Sequence, residues 1–162
     1  MSLLYIVLGL VALQRAAELA FAAANTRRLR AEGAVEFDAP GYPWFVALHA
    51  AWLVSLALLV PADTPPSWPL LAAFAALQGG RLWVMASLGR RWTTRIIVLP
   101  GAPLVERGPY RYLRHPNYAI VAAEIAVLPL AFGAPAIALL FSAANLALVR
   151  RRIAREERAL AA

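Results

Sequence analysis

Residues 117–149 read NYAIVAAEIAVLPLAFGAPAIALLFSAANLALV, a run in which Glu124 is the single charged side chain. As one helix this run would be ~50 Å long at 1.5 Å per residue, well beyond the ~30 Å hydrocarbon core of a bilayer. Pro129, Gly133 and Pro135 interrupt it. Proline removes a helical hydrogen bond and glycine turns the chain, so the run predicts a tight hairpin of two short spans, 117–132 and 134–149. Three more apolar runs lie upstream, at about 2–24, 43–60 and 68–88. Together they predict an all-α integral membrane protein with five transmembrane helices, built as one domain over 1–162. The first run has no basic leader and is too long for a signal core, so it is read as a retained span.

Composition agrees with that reading. Of 162 residues, 62% are hydrophobic and 15% charged, with a mean hydropathy of +0.63. Soluble domains hold about 45–50% apolar residues, and a small one cannot hide a larger share from water. An ordinary soluble enzyme and a disordered chain are both excluded. Cysteine is absent, which removes a disulfide framework, a thiolate metal site and a cysteine nucleophile. Around His49 there is no second histidine or carboxylate at ligand spacing, so no metal is expected.

The net charge of +7 comes from 16 arginines and nine acids, with no lysine. Fourteen arginines fall in three segments, Arg27–Arg30, Arg90–Arg114 and Arg150–Arg158, which follow the first, third and fifth spans. The opposite loops, 61–69 and the turn at Gly133, carry none. The positive-inside rule makes the arginine side cytoplasmic, with the N-terminus outside and the C-terminus inside. The basicity is thus a topology signal, and no nucleic-acid partner is expected.

Ionisable side chains at membrane depth are costly and usually face the bundle interior. Arg15 and Glu18 can pair on one helix face, and Gln14, Glu18 and Asn25 form one polar stripe. Gln78, Arg81 and Met85 share a face of the third span beside Gly79 and Gly80. Glu124 sits a turn and a half deeper than Tyr118, with Arg81 or Arg15 as its natural partner. The Arg15–Glu18 pair reads as neutralised glue between helices, whereas Glu124 reads equally well as glue or as a group facing a substrate, and Arg81 can bind carbonyls of a neighbouring helix. His49, with Trp52 and Ser55 on its face, reads as a packed hydrogen-bonding residue.

The connection from Gly89 to Arg114 is long and polar, with a short β-prone run at Ile96–Leu99. Tyr110, Tyr112 and Tyr118 offer flat faces, and an onium cation gains attraction beside such faces. Beyond the fifth span, Arg152 and the Glu156–Glu157 pair lie on a helix that can fold over this loop. A zwitterionic aromatic cofactor would fit such a pocket, as would an anionic lipid head group. Tyrosine, tryptophan and arginine also form interfacial belts with no ligand at all. Neither a Walker phosphate loop nor a GxGxxG fingerprint is present.

The segment from Gly108 to Glu157 resembles the isoprenylcysteine carboxyl methyltransferase family. That family's signature is Arg-His-Pro-x-Tyr-x-Gly, then a helical hairpin, then Arg-x-x-x-Glu-Glu. Arg114-His115-Pro116-Asn117-Tyr118 matches the first block, Arg152 with Glu156-Glu157 the second, and Gly108-Pro109-Tyr110 is also family-like. Ile120 stands at the family's glycine position, a departure from the pattern. The remaining features resemble a smaller bacterial branch associated with methylation of alkylresorcinols and alkylpyrones. They include Glu18, Asn25, Gly33–Glu36, Leu48-His49, Trp92–Val98 and Glu124-Ile125.

The resemblance implies an enzyme of the bacterial inner membrane that binds S-adenosylmethionine on the cytoplasmic side. A lipophilic acceptor would reach it sideways from the bilayer, so membrane lipids are its surroundings. His115, Tyr118, Glu156 and Glu157 would belong to the cofactor region, and Arg152 to the meeting point of acceptor and cofactor. Tyr110, Tyr112, Arg95 and Leu99 join the cofactor region by their place in the loop. A phenol or enol acceptor must lose a proton; Glu124 or His115 could take it, with Arg152 or Arg81 as electrostatic helper. An isoprenylcysteine-type carboxylate is the alternative acceptor. An NADPH-dependent membrane reductase and a non-enzymatic lipid-binding protein are the readings from other classes. The small bundle and its glycine pair allow a homodimer without requiring one.

Overall fold

The five apolar runs become five helices among the described residues, 2–161, of a computed structural model. Helix α1 (Leu3–Ala31) starts where the Ser2 hydroxyl accepts from the Tyr5 amide at 3.4 Å. Its 29 residues make it ~43 Å long, so its polar last turns extend beyond a bilayer core. Helix α2 (Tyr42–Leu59), α3 (Trp68–Leu88) and α4 (Pro116–Ala131) each carry proline in the first turn, where no amide partner is lost. Helix α5 (Pro135–Ala161) follows the hairpin expected at Gly133, whose φ of +66° suits glycine. The Ala134 amide closes that turn on the Pro129 carbonyl at 2.9 Å.

α1, α2 and α3 are each long and apolar enough to cross a membrane, and α4 is a shorter apolar helix. α5 is apolar in its first half and then continues unbroken as a charged helix through Arg152, Glu156 and Glu157. Leu10, Leu13, Leu58, Leu59, Leu139 and Leu140 lie between 62% and 76% exposed on the outside of the bundle. Such an apolar exterior is what a lipid solvent demands and water would penalise. Inside, Leu8, Trp52, Leu56, Phe74, Ile125 and Leu128 pack into one cluster.

At the arginine-rich end, strand β1 (Val35–Phe37) pairs antiparallel with β2 (Ile96–Val98), Glu36 opposite Ile97. The sequence marks the β2 segment but gives no sign of its partner. This clasp joins the α1–α2 connection to the α3–α4 connection. Asn25 fixes the latter from α1, donating from Nδ2 to the Trp92 carbonyl at 2.8 Å and to the Gly89 carbonyl at 3.3 Å.

Candidate active site

Six residues of α4 separate Tyr118 from Glu124, which turns their side chains ~240° apart around the helix. The bundle consequently holds two polar clusters on different faces of α4. Glu124 looks toward α1 and α3. Tyr118 looks toward α5.

The first cluster lies at membrane depth. Arg81 donates from Nε to both Glu18 oxygens, at 2.8 and 2.9 Å, and Arg15 reaches Glu18 at 2.8 Å. Arg15 also donates to Glu124 and to Gln78, each at 3.1 Å, while Gln78 donates to Glu124 at 2.9 Å. Arg81 stands 3.5 Å from the second Glu124 oxygen, and Gln14 donates to Glu18 at 3.0 Å. Two arginines and two glutamates thus balance in charge, with Glu18, Arg81 and Glu124 all buried. Neutrality is what makes such a cluster tolerable in a low-dielectric interior. Glu124 has both arginines as partners, where the sequence leaves the choice between them open.

The second cluster gathers at the arginine-rich end of the bundle, between the first turn of α4 and the charged half of α5. Tyr118 donates its hydroxyl to Glu156 at 2.6 Å, and Arg152 Nε donates to that same hydroxyl oxygen at 3.0 Å. Arg152 also donates from Nη2 to the Thr94 carbonyl and lies over the Phe45 ring, 4.9 Å from its centroid. His115 stands 3.4 Å from Glu157 and 4.0 Å from Glu156, its ring tilted against Tyr118 with centroids 5.7 Å apart. Tyr110 is half-buried nearby. Burial, and then the charge of Glu156, push its hydroxyl above the ordinary tyrosine value, so it stays a neutral donor.

Of the residues singled out in sequence, the fold brings together His115, Tyr118, Arg152, Glu156 and Glu157. Arg95 stands beside them, stacked 4.4 Å over the Tyr42 ring, whose hydroxyl meets Thr94 Oγ1 at 3.1 Å. Arg95 also pairs with Glu36 at 2.6 Å. Burial pushes the Glu36 carboxyl up, but hydrogen bonds and charge from Arg95, then Arg30, outweigh it and hold that carboxyl low. Tyr112 is 76% exposed, and among the described residues no hydrogen bond or ion pair joins it or Leu99 to the cluster. Arg81 and Glu124 belong to the membrane-depth network.

Three participants escape the sequence. The Thr94 carbonyl and the Phe45 ring hold Arg152 from segments far away in the chain, and the Arg155–Asp38 ion pair locks α5 to the turn before α2. Backbone acceptors and packing rings carry no motif, so local pattern could not name them.

Between α1 and α2 a groove of about 540 Å³ opens, with Leu19, Ala23, Tyr42, Val46, Thr94 and Arg95 among its lining residues. Leu19, Ala23 and Val46 make its apolar part, while Thr26, Arg27 and Arg30 of α1 and Thr94 and Arg95 of the loop make its polar part. Thr94 is common to this groove and to the Arg152 cluster.

Comparison with known proteins follows the same lines. The isoprenylcysteine carboxyl methyltransferase (ICMT) family profile matches residues 70–162, which contain both α4 and α5. The uncharacterized protein YpbQ of Bacillus subtilis (strain 168) is 38% identical over 160 residues, covering 96% of this chain and 95% of its own. No solved structure matches the chain.

Proposed function

The chain belongs to the isoprenylcysteine carboxyl methyltransferase family, and from that premise we propose an S-adenosylmethionine-dependent O-methyltransferase of a membrane-dissolved acceptor. The acceptor we propose is a long-chain phenol or pyrone. The observation that carries the reading is the Arg152–Tyr118–Glu156 cluster, with His115 and Glu157 beside it.

The residues of this cluster fit the cofactor's chemistry. Glu156 and Glu157 suit its cationic groups, and the rings of His115, Tyr118 and Tyr110 suit a sulfonium or an adenine. Asn117, in the first turn of α4, keeps a buried Oδ1 that accepts from no group among the described residues. An amino group of the cofactor is a donor of the kind it lacks. When bound, the cofactor supplies an electrophilic methyl group.

This chain's own residues then have two tasks, to align the acceptor oxygen and to deal with its proton. Arg152 is buried, charged and fixed on three sides, so it can hold an acceptor oxygen and lower its pKa. His115 stands in the same cluster and can take the proton. Glu124 stands in the other cluster, committed to Arg15, Gln78 and Arg81.

The groove between α1 and α2 supports lateral access for a lipid-like acceptor, its apolar wall at Leu19 and Val46 leading to Thr94. The arginine distribution supports five spans with the active site facing the cytoplasm of a bacterial inner membrane. The test uses purified protein in lipid nanodiscs. S-Adenosylhomocysteine should raise the melting temperature by mass action and NADPH should not. Labelled methyl should then pass into a fraction of a bacterial lipid extract. Stabilisation by NADPH alone would replace this reading with a reductase, and stabilisation by neither with a non-enzymatic role.

A further inference from the structure

Asn145 lies seven residues before Arg152 on α5, two turns and ~10 Å away along one face. It is 1% exposed, yet neither its Nδ2 nor its Oδ1 has a hydrogen-bond partner among the described residues. Trp52 Nε1 and Ser142 Oγ are buried and unpartnered in the same way. Buried amides and indoles without partners are strongly unfavourable, above all inside a bilayer where water cannot help. Leucine would fill the Asn145 position without that cost, since Trp52, Ile125 and Leu128 form an apolar core in the same bundle.

Helix geometry puts these orphaned groups at one level of the bundle. α2 and α5 run antiparallel, with Phe45 against Arg152 at one end and Val60 and Ile137 in a shared cluster at the other. Seven residues forward from Phe45 and seven back from Arg152 bring Trp52 level with Asn145. Ser142 follows one turn further along α5. The ~10 Å of rise between Arg152 and Asn145 is on the length scale of one ring carrying an oxygen on either side.

We propose that Asn145, with Trp52 and Ser142, is the specificity site for a second oxygen of the acceptor, a hydroxyl seated deeper than the oxygen that is methylated. The proposal rests on the methyl-transfer reading above. Its chemistry follows from the orphaned atoms. The Trp52 indole can only donate, while the Asn145 amide both donates and accepts. A hydroxyl accepts from the indole and donates to the amide oxygen. An ether or a carbonyl satisfies only the donors, and an alkyl carbon satisfies none.

The experiment compares two acceptors, 5-pentadecylresorcinol and 3-pentadecylphenol, which differ by one hydroxyl. Wild type and Asn145→Leu are purified into nanodiscs, and methyl transfer and acceptor-induced melting shifts are measured for each. Wild type should prefer the diol at least tenfold in kcat/KM, and the diol should raise its melting temperature more than the monophenol does. Asn145→Leu should raise the KM for the diol at least tenfold and bring the two acceptors to parity in both readouts. Its own melting temperature should stay level or rise, because an unsatisfied group has been removed. An unchanged preference in the variant would overturn the proposal. So would a lower melting temperature with equal losses on both acceptors, which marks a structural asparagine. A wild type indifferent to the second hydroxyl would leave Asn145 to a buried water and end the proposal. If wild type methylates neither acceptor, the phenol reading itself fails, while stabilisation by S-adenosylhomocysteine still separates that failure from loss of the cofactor reading.

Discussion

The Tyr118 hydroxyl stands 2.6 Å from a Glu156 carboxylate oxygen, although 38 positions separate the two residues in the chain. The contact ties the first turns of α4 to the charged half of α5, and Arg152 joins it at 3.0 Å. A carboxylate held this way is oriented before any ligand arrives. Glu156→Ala should therefore weaken S-adenosylhomocysteine binding by about tenfold to a hundredfold, the loss of a hydrogen bond to a charged group of about 1.5–3 kcal/mol. Tyr118→Phe should cost a few-fold only, since the carboxylate itself remains. Calorimetric titration in nanodiscs measures both, and membrane insertion should be unaffected. Unchanged affinity in Glu156→Ala would remove the cofactor from this cluster.

Topology is the second prediction. Among the 16 arginines, Arg15 and Arg81 are the two that fall inside spans, and both sit in the ion-pair network. Of the other 14, three lie in the last turns of α1, six between α3 and α4, and five in the charged half of α5. A green fluorescent protein fused after residue 162 should fluoresce in bacteria, and a cysteine introduced at Thr64 should react with a membrane-impermeant maleimide from outside. A labelled Thr64 with a dark C-terminal fusion would break the five-span count at the α4–α5 hairpin.

The helices are legible in sequence because proline and glycine punctuate the apolar runs, as at Pro129, Gly133 and Pro135. Where punctuation is polar the reading stops short. α1 continues to Ala31, seven residues past the apolar run, because Asn25 and Thr26 pack inside while the arginines beyond lie outside lipid. The cluster's members were readable from the spacing of Arg152, Glu156 and Glu157 and from the His115–Tyr118 block. Its depth was not, since Thr94 and Phe45 meet Arg152 only through tertiary packing. Tyr112 looks identical in sequence to Tyr110, yet it faces away at 76% exposure. Ile120, at the family's glycine position, lies against Gly80 of α3: a Cβ there would meet Ile120 Cδ1 at 3.4 Å. Gly80 is thus the small residue that makes room for Ile120 between α3 and α4.

The β1–β2 clasp supplies a pH-dependent prediction. Despite burial, Arg95 and Arg30 hold the Glu36 carboxyl below its ordinary value of 4.5. A carboxyl depressed in the folded state contributes stability that is fully present above the unfolded value and fades as pH falls through the folded one. The clasp should accordingly stay protected at neutral pH and loosen below about pH 4.5. Hydrogen exchange over 33–38 and 95–99 should rise in that acid window in the wild type. Glu36→Gln should show the raised exchange already at pH 7, with little further change on acidification. An equal acid response in both proteins would assign it to another group.

The membrane-depth network yields the sharpest contrast between a structural and a chemical role. Glu18 faces both Arg81 and Arg15, so Glu18→Ala leaves the buried Arg81 and the half-buried Arg15 sharing Glu124 alone. Breaking a buried pair from one side costs about 3–5 kcal/mol, because a charge is left uncompensated. Adding Arg81→Met restores neutrality, with Arg15 facing Glu124 at 3.1 Å, and the double variant should recover much of the lost melting temperature. Glu124→Gln keeps a hydrogen-bonding oxygen for Gln78 and Arg15 but removes one negative charge. As a structural member of the network it should melt lower while keeping its turnover per folded molecule within a few-fold. A general base would behave differently, since its loss costs roughly 10²–10⁴ in rate whatever happens to stability. Methyl transfer normalised to S-adenosylhomocysteine-binding protein separates the two. A drop of that size in Glu124→Gln would move proton removal from His115 to the interior of the bundle.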